Sequence, residues 1–456
     1  MGNKNNSKNL KNEKNKNEKN LKNEKNSNKS KDLFNYKYKN RNVFYYSEKY
    51  EISPDELNKF NSIKPTKVSF KEIPKKKFPV KVLIDTDLGT DLDDALAILY
   101  ALNLSKKIEI IGITTNYGPS NLRAEIVKKI CNQYWKKNPN SKKFEIHAGA
   151  SKSLGTHREV FLAGNEGVGI FSKEKLVQFF NEWKNNLKQN NYSDIKEAVN
   201  FIYKSINEHP GLTLISIGIP SNIGYALKVY PDISEKIDEL VIMGCGSYLQ
   251  KQKFYSIGHY SPTPADWFKS DDCNNYGNDE DYKKLPFDLP NNKKEALEFI
   301  KNGKPVILYP NHNLSGDTLA SKIIFDDDKL KIRIVSHEVT SQFWLCGESI
   351  EYLKKVAEVS ENSFSAGIVG ELLKQWFEKR NGNGNGQCPH DPLTIHESVF
   401  GGENSNVLYV PGTIILHEWA AYSTFIPHED GKHLLGVDIK NKEDFLKHLT
   451  KYLIKE

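Results

Sequence analysis

The chain has 456 residues, 38% hydrophobic and 27% charged, with a formal net charge of +7. That is enough for one large α/β domain or two ordinary ones with a real core. Five scattered cysteines with no C-x-x-C pair exclude a disulfide framework and a zinc site, and no apolar run is long enough to span a bilayer.

The positive excess sits at the front. Residues 1–45 form an Asn/Lys-rich arm with too little apolar surface to offset its ordering entropy, so a disordered basic arm is expected there. The charge therefore says little about the folded part, and no specific nucleic-acid partner is expected. The chain begins Met1-Gly2, but a myristoylation signal prefers Ser or Thr at position six, where Asn6 stands with Ser7 one place late. A membrane surface enters only if that lipid is attached. With no signal-peptide core and unpaired cysteines, a reducing, cytoplasmic setting is expected.

A linker is expected over 46–80 and a single domain over 81–456. From Lys81 onward, short buried runs alternate with stretches of helical spacing: KVLID, DDALAILYALN, IEIIGITTN, NLRAEIVKKICNQYW, FEIHAG, TLISIGIP, SNIGYALKVY and IDELVIMGCG. Buried strands alternating with amphipathic helices predict βαβ units and an α/β fold whose mainly parallel sheet is covered by helices on both faces. Residues 247–304 break the rhythm and read as an insertion carrying Tyr248, Phe254, Tyr255, Tyr260, Trp267 and Tyr276. Its aromatics fit stacking on a purine or pyrimidine as well as they fit packing onto the body or a contact in a homo-oligomer. The pattern resumes at KPVILYP and IRIVSHEV, with a helix expected at SIEYLKKVAEVS, a flexible NGNGNG loop, and a helical or turn-like PLTIHESVF.

Five aspartates (Asp85, Asp87, Asp91, Asp93 and Asp94) crowd ten residues at the end of the first strand. In open parallel sheets ligands bind beyond the carboxyl ends of the strands. Helix capping accounts for one or two of these carboxylates. A hard cation held by oxygen ligands, Ca²⁺ or Mg²⁺, accounts for the rest. A D-x-D after a first strand also opens haloacid-dehalogenase-like phosphatases, but Gly89 stands where that motif wants Thr or Val.

The run Asp85-Thr86-Asp87-Leu88-Gly89-Thr90-Asp91-Leu92-Asp93-Asp94-Ala95 resembles the D-x-D-P-G-x-D-D-A opening of the inosine/uridine-type nucleoside hydrolases, with Leu88 for Pro and two residues added. GITTNYG, IGIPSNIGYAL, VIMGCG, NHNLSGDTLASKIIF and PHDPL resemble further motifs of that family, in its order. The resemblance implies metal-dependent hydrolysis of the N-glycosidic bond of a nucleoside-like small molecule, releasing base and ribose, with Ca²⁺ as cofactor. It implies Asp87 as metal ligand and general base toward the attacking water. Asp94, the backbone carbonyl of Ser221 and Asp391 would be further ligands. Asp93, Asn311 and Asn313 would contact the ribose, and Asp317 matches an Asp of the same motif. His390, beside Asp391, would be the acid that assists the leaving base.

The chain departs from that pattern in several places. Pro119 stands where the family has Asn, AGNEGVG lacks the family's His, and Asn311 replaces Glu. The metal cage is kept while the substrate shell is altered. An active hydrolase is the expectation, with a metal- and ribosyl-binding pseudo-enzyme as the alternative.

Overall fold

The computed structural model describes residues 64–89, 92–155, 160, 162, 166–188, 193–250, 288–309, 311–343, 388–416 and 423–453. The arm over 1–45, Asp91, the aromatics Phe254, Tyr255, Tyr260, Trp267 and Tyr276, the SIEYLKKVAEVS helix and the NGNGNG loop lie outside the described residues.

Ten strands form one sheet in the order β3-β2-β1-β4-β5-β7-β10-β8-β9-β6. They are β1 Val80–Thr86, β2 Ile108–Thr115, β3 Glu145–Ala148, β4 Leu212–Ser216, β5 Ile237–Gly244, β6 Val306–Leu308, β7 Ile332–Ser336, β8 Val407–Leu416, β9 Ser423–Pro427 and β10 His433–Ile439. β3, β2, β1, β4, β5, β7 and β10 run parallel to one another, as expected from the βαβ rhythm. β8, β9 and β6 close the far side antiparallel.

The helices among the described residues are α1 Asp93–Asn103, α2 Ser120–Lys137, α3 Lys173–Lys188, α4 Ser193–Glu208, α5 Ser221–Val229, α6 Lys293–Lys301, α7 His312–Gly316, α8 Thr318–Asp326, α9 His337–Thr340, α10 His390–Val399 and α11 Lys442–Leu453. They cover both faces, and the strands alternate between them. Val82 and Ile84 of β1 pack in one cluster with residues of α1, α2, α10 and α11, whereas Leu83 packs in the other with residues of α4, α5 and α8. Val241 and Met243 share the first face, Leu240 and Ile242 the second. A strand buried on both sides carries consecutive apolar residues, which is why Val82, Leu83 and Ile84 form an unbroken run.

Two parts of the chain depart from the expected picture. KPVILYP does form a strand, but it pairs antiparallel with β9 at the far edge and does not join the parallel array. Ser247–Leu249 runs beside it, with Leu249 N–H donating to Ile307 O at 2.8 Å and Tyr309 N–H to Ser247 O at 2.9 Å. Tyr248 is buried there and its hydroxyl donates to Val437 O at 3.2 Å, so it is a packing residue and not a rim aromatic. Residues 64–79, expected as linker, lie along the body. Val68 N–H donates to Lys301 O, Lys71 N–H donates to Tyr409 O, and Ile73 is buried.

Between the neighbouring strands β7 and β5, Arg333 is buried and makes a forked pair with Glu239 (Nη2–Oε1 2.5 Å, Nε–Oε2 3.0 Å), and Lys76 also pairs with Glu239. Desolvation pushes the Glu239 carboxyl up, but Arg333 and Lys76 outweigh it and hold it below the usual range. Arg333→Met should destabilise the protein by about 3 kcal/mol in urea unfolding, because a buried charge loses its best partner while Lys76 remains. A loss under about 1 kcal/mol would contradict this account.

His396 and His433 are buried, and burial pushes each down to about 3. Both stay neutral in the folded chain while the unfolded chain takes up protons near its ordinary His value. The unfolded state therefore binds more protons between the two values, and stability should fall as pH drops from about 6.5 toward 3. Urea midpoints measured across that range test this, and a flat profile would refute it.

Candidate active site

The strand order places the site. The chain moves from β1 through β2 to β3 on one side, then returns to β4 on the other side of β1. Ligand crevices form at such reversals, outside the carboxyl ends of the strands. Residues 87–89 leave β1 there, and Ser221 follows β4.

Alternation along β1 sends neighbouring side chains to opposite faces. Asp85, on the α5 face, accepts from Thr114 Oγ1 at 2.7 Å and Asn222 Nδ2 at 2.8 Å. Burial pushes Asp85 up to about 7 against those hydrogen bonds, with the Asp87 charge adding a smaller push in the same direction. Asn222 also donates to Thr115 O at 3.1 Å and accepts from Ala150 N–H at 2.8 Å, so one amide ties together β1, β2 and the segment after β3. Thr86, on the α1 face, donates from Oγ1 to Asp94 Oδ1 and accepts from Leu88 N–H at 3.2 Å, which closes the loop onto the helix it leads into.

Two glycines permit the loop's path. Gly89 has φ +115°, a conformation that side chains rarely adopt. Gly218, after β4, lies against Asp87: a Cβ there would sit 2.5 Å from Asp87 N and 2.9 Å from its Oδ1.

Asp93 and Asp94 form the first turn of α1, whose N-cap Leu92 offers no side-chain cap. Asp391 lies in the first turn of α10, which packs against α1. Oxygens of Asp93, Asp94 and Asp391 lie within 4.8 Å of one another, and all three residues are buried. Ionised together, each pair would repel by roughly 3–4 kcal/mol at an effective dielectric of about 20. An all-oxygen, His- and Cys-free set of buried carboxylates fits a hard divalent cation.

Asp94 and Asp391, both expected as ligands, meet in this set together with Asp93. Asp93 and Asp94 both fall in the first turn of α1, while Asp87 lies beside Gly218.

Ser221 is buried and donates from Oγ to Asp317 Oδ2 at 2.6 Å. Asp317 also accepts from Leu154 N–H at 2.6 Å and caps α8 through Ala320 N–H at 3.0 Å. Asn311 caps α7, accepting from Asn313 N–H at 2.9 Å. Asn313 Nδ2 donates to Ile217 O at 3.2 Å and Met243 O at 3.1 Å, so these asparagines fasten α7 to the ends of β4 and β5.

His390 is half-buried. Its Nδ1 lies 2.6 Å from Thr340 Oγ1, and its ring stacks on His337 with centroids 5.2 Å apart. Desolvation, with a smaller contribution from His337, pushes it down to about 3, so the ring is neutral near pH 7. A neutral imidazole is a hydrogen-bonding group rather than a ready proton donor. His337 and Asn222 are site residues the sequence reading missed. Both stand directly after strand or turn signals, and only the three-dimensional neighbours reveal their use.

A family model described as inosine-uridine preferring nucleoside hydrolase matches residues 82–408, and the chain belongs to that family. The inosine-uridine preferring nucleoside hydrolase of Crithidia fasciculata is 31% identical over 179 residues, covering 37% of this chain and 49% of that protein. Uridine nucleosidase 1 of Arabidopsis thaliana is 26% identical over 186 residues, covering 40% and 48%. The matched stretches thus span about half the length of these relatives. A plant nucleoside hydrolase has a similar structure, with a TM-score of 0.53 and 18% identity, covering 83% of this chain and 100% of that one. A purine-preferring ribonucleoside hydrolase from Gardnerella vaginalis aligns with a TM-score of 0.51 and 18% identity, covering 82% and 98%. At these identities the likeness is one of fold.

Asp391→Asn removes one of three mutually repelling charges. In EDTA its melting temperature should rise by roughly 2–4 °C over wild type. Added Ca²⁺ should then stabilise wild type and leave the variant nearly unmoved. Equal Ca²⁺ responses in the two proteins, read by scanning fluorimetry, would rule out the cluster as a cation site.

Proposed function

We propose that the chain hydrolyses the N-glycosidic bond of a ribonucleoside or related N-riboside, releasing base and ribose, with Ca²⁺ as cofactor. The convergence of Asp93, Asp94 and Asp391 at the sheet's switch point carries this reading, because a chain does not bury three carboxylates together without a cation or a polar ligand to hold. Asp93, Asp94, Asp391 and the Ser221 carbonyl would hold the ion. When bound, Ca²⁺ would supply the Lewis acidity that makes a nearby water a better nucleophile, and a face for vicinal ribose hydroxyls.

The remaining work falls to the chain's own groups. Asp87 would accept the proton of the attacking water. Ionised carboxylates around the sugar would stabilise the oxocarbenium-like character of the transition state. Asn311 and Asn313, at the start of α7 beside the ends of β4 and β5, would contact the ribose. His390 would hydrogen-bond the leaving base as a neutral imidazole oriented by Thr340 and His337. Among the described residues no helix is long and apolar enough to cross a membrane. Cys131, Cys245 and Cys388 are buried free thiols, which favours a reducing compartment.

The pseudo-enzyme alternative has one observation in its favour: the amide of Asn313 is already committed to backbone carbonyls. A nucleoside panel with Ca²⁺, assayed for free base and reducing sugar, separates the two readings. Cleavage of at least one nucleoside is expected, and Asp87→Ala should lower kcat by about 10²–10⁴ while Ca²⁺ binding persists. Ca²⁺ and ribose binding without any release of base would establish the pseudo-enzyme instead.

A further inference from the structure

We propose that Arg123 is a positioning residue that sets the geometry of the carboxylate loop, and with it the affinity of the cation site. The inference rests on the Ca²⁺ reading above and adds a residue outside the carboxylate set.

Arg123 lies in the first turn of α2, following the N-cap Pro119. A cation is poorly matched to that end of a helix, where the dipole favours negative charge. The residue is also completely buried. Both features are costly, and the contacts of the side chain show what offsets them. Nη1 donates to Asp87 O and, at 3.0 Å, to Leu88 O. Nε donates to Tyr117 O at 2.6 Å.

Helical side chains lean toward the helix N-terminus, so Arg123 reaches back beneath the loops that follow β1 and β2. By holding the carbonyls of Asp87 and Leu88 it fixes two successive peptide planes. Those planes set where the Asp87 side chain points and how the chain enters the Gly89 turn that leads to Asp93 and Asp94. The third contact locks this loop to Tyr117, itself held at φ +62° with its N–H donating to Ala150 O at 2.7 Å. The planar guanidinium spans three carbonyls at once, and an ammonium on a flexible stem does not reproduce that fork.

Charge and geometry pull in opposite directions here. A buried positive charge near the loop weakens binding of another cation, whereas a preset loop strengthens it. Groups behind metal ligands typically alter affinity by about 10–100-fold when lost. Arg123→Lys keeps the charge and removes the fork, so it isolates the geometric effect.

The test is calorimetric titration of the full chain with Ca²⁺, alongside melting temperatures in EDTA. Arg123→Lys should raise the Ca²⁺ Kd by about 10–100-fold. A Kd equal to that of wild type, whatever the change in melting temperature, would make Arg123 a core residue only. Should Arg123→Lys fail to fold, Arg123→Gln gives a second reading: a weaker Kd despite the lost positive charge supports positioning, and an equal or tighter Kd overturns it. Wild type that binds no Ca²⁺ would sink the metal reading together with this one, whereas tight wild-type binding that the variants retain would sink this one alone.

Discussion

Carboxylates held close together out of water repel one another, and the mouth of this sheet is organised around that repulsion. Asp93, Asp94 and Asp391 come from helices whose sequence positions differ by almost 300 residues, yet their oxygens lie within 4.8 Å. Packing between α1 and α10 enforces the meeting. Hydrogen bonds then fix the individual groups: Thr86 on Asp94, Thr114 and Asn222 on Asp85. Arg123 holds the intervening backbone.

The sheet order makes this arrangement possible. β1 lies between β2 and β4, so loops leaving three adjacent strand ends share one crevice. Because consecutive β1 residues face opposite ways, Asp85 is bound by α5 and Thr86 by α1. The loop is therefore anchored to both helical layers. A single anchor would leave it free to swing the carboxylates apart, which their mutual repulsion favours.

Strain and polarity concentrate at this end of the molecule. Tyr117 and Cys245 have positive φ at the ends of β2 and β5. Deviations of this kind persist only where surrounding contacts over-determine them, and they gather at functional sites. The amino-terminal side of the sheet is braced differently, by the Arg333–Glu239–Lys76 group and by residues 64–79 laid across the body. Stability there and chemistry at the opposite end are thus carried by separate sets of residues.

The sequence by itself determined the parallel half of the sheet, since the consecutive apolar stretches within KVLID and IDELVIMG are those of strands covered on both faces. It also marked the loop after β1 as the candidate site, because five aspartates in ten residues exceed what capping explains. The family resemblance already joined Asp94 to Asp391, and tertiary structure added Asp93 to that set. The direction of a side chain beyond Gly89 depends on where α1 and α10 settle, and that contact joins residues far apart in the chain. The same reason hid the antiparallel edge formed by β6, β8 and β9. A three-residue strand such as Val306–Leu308 has a local pattern that is identical in either direction, and only its neighbour fixes which way it runs.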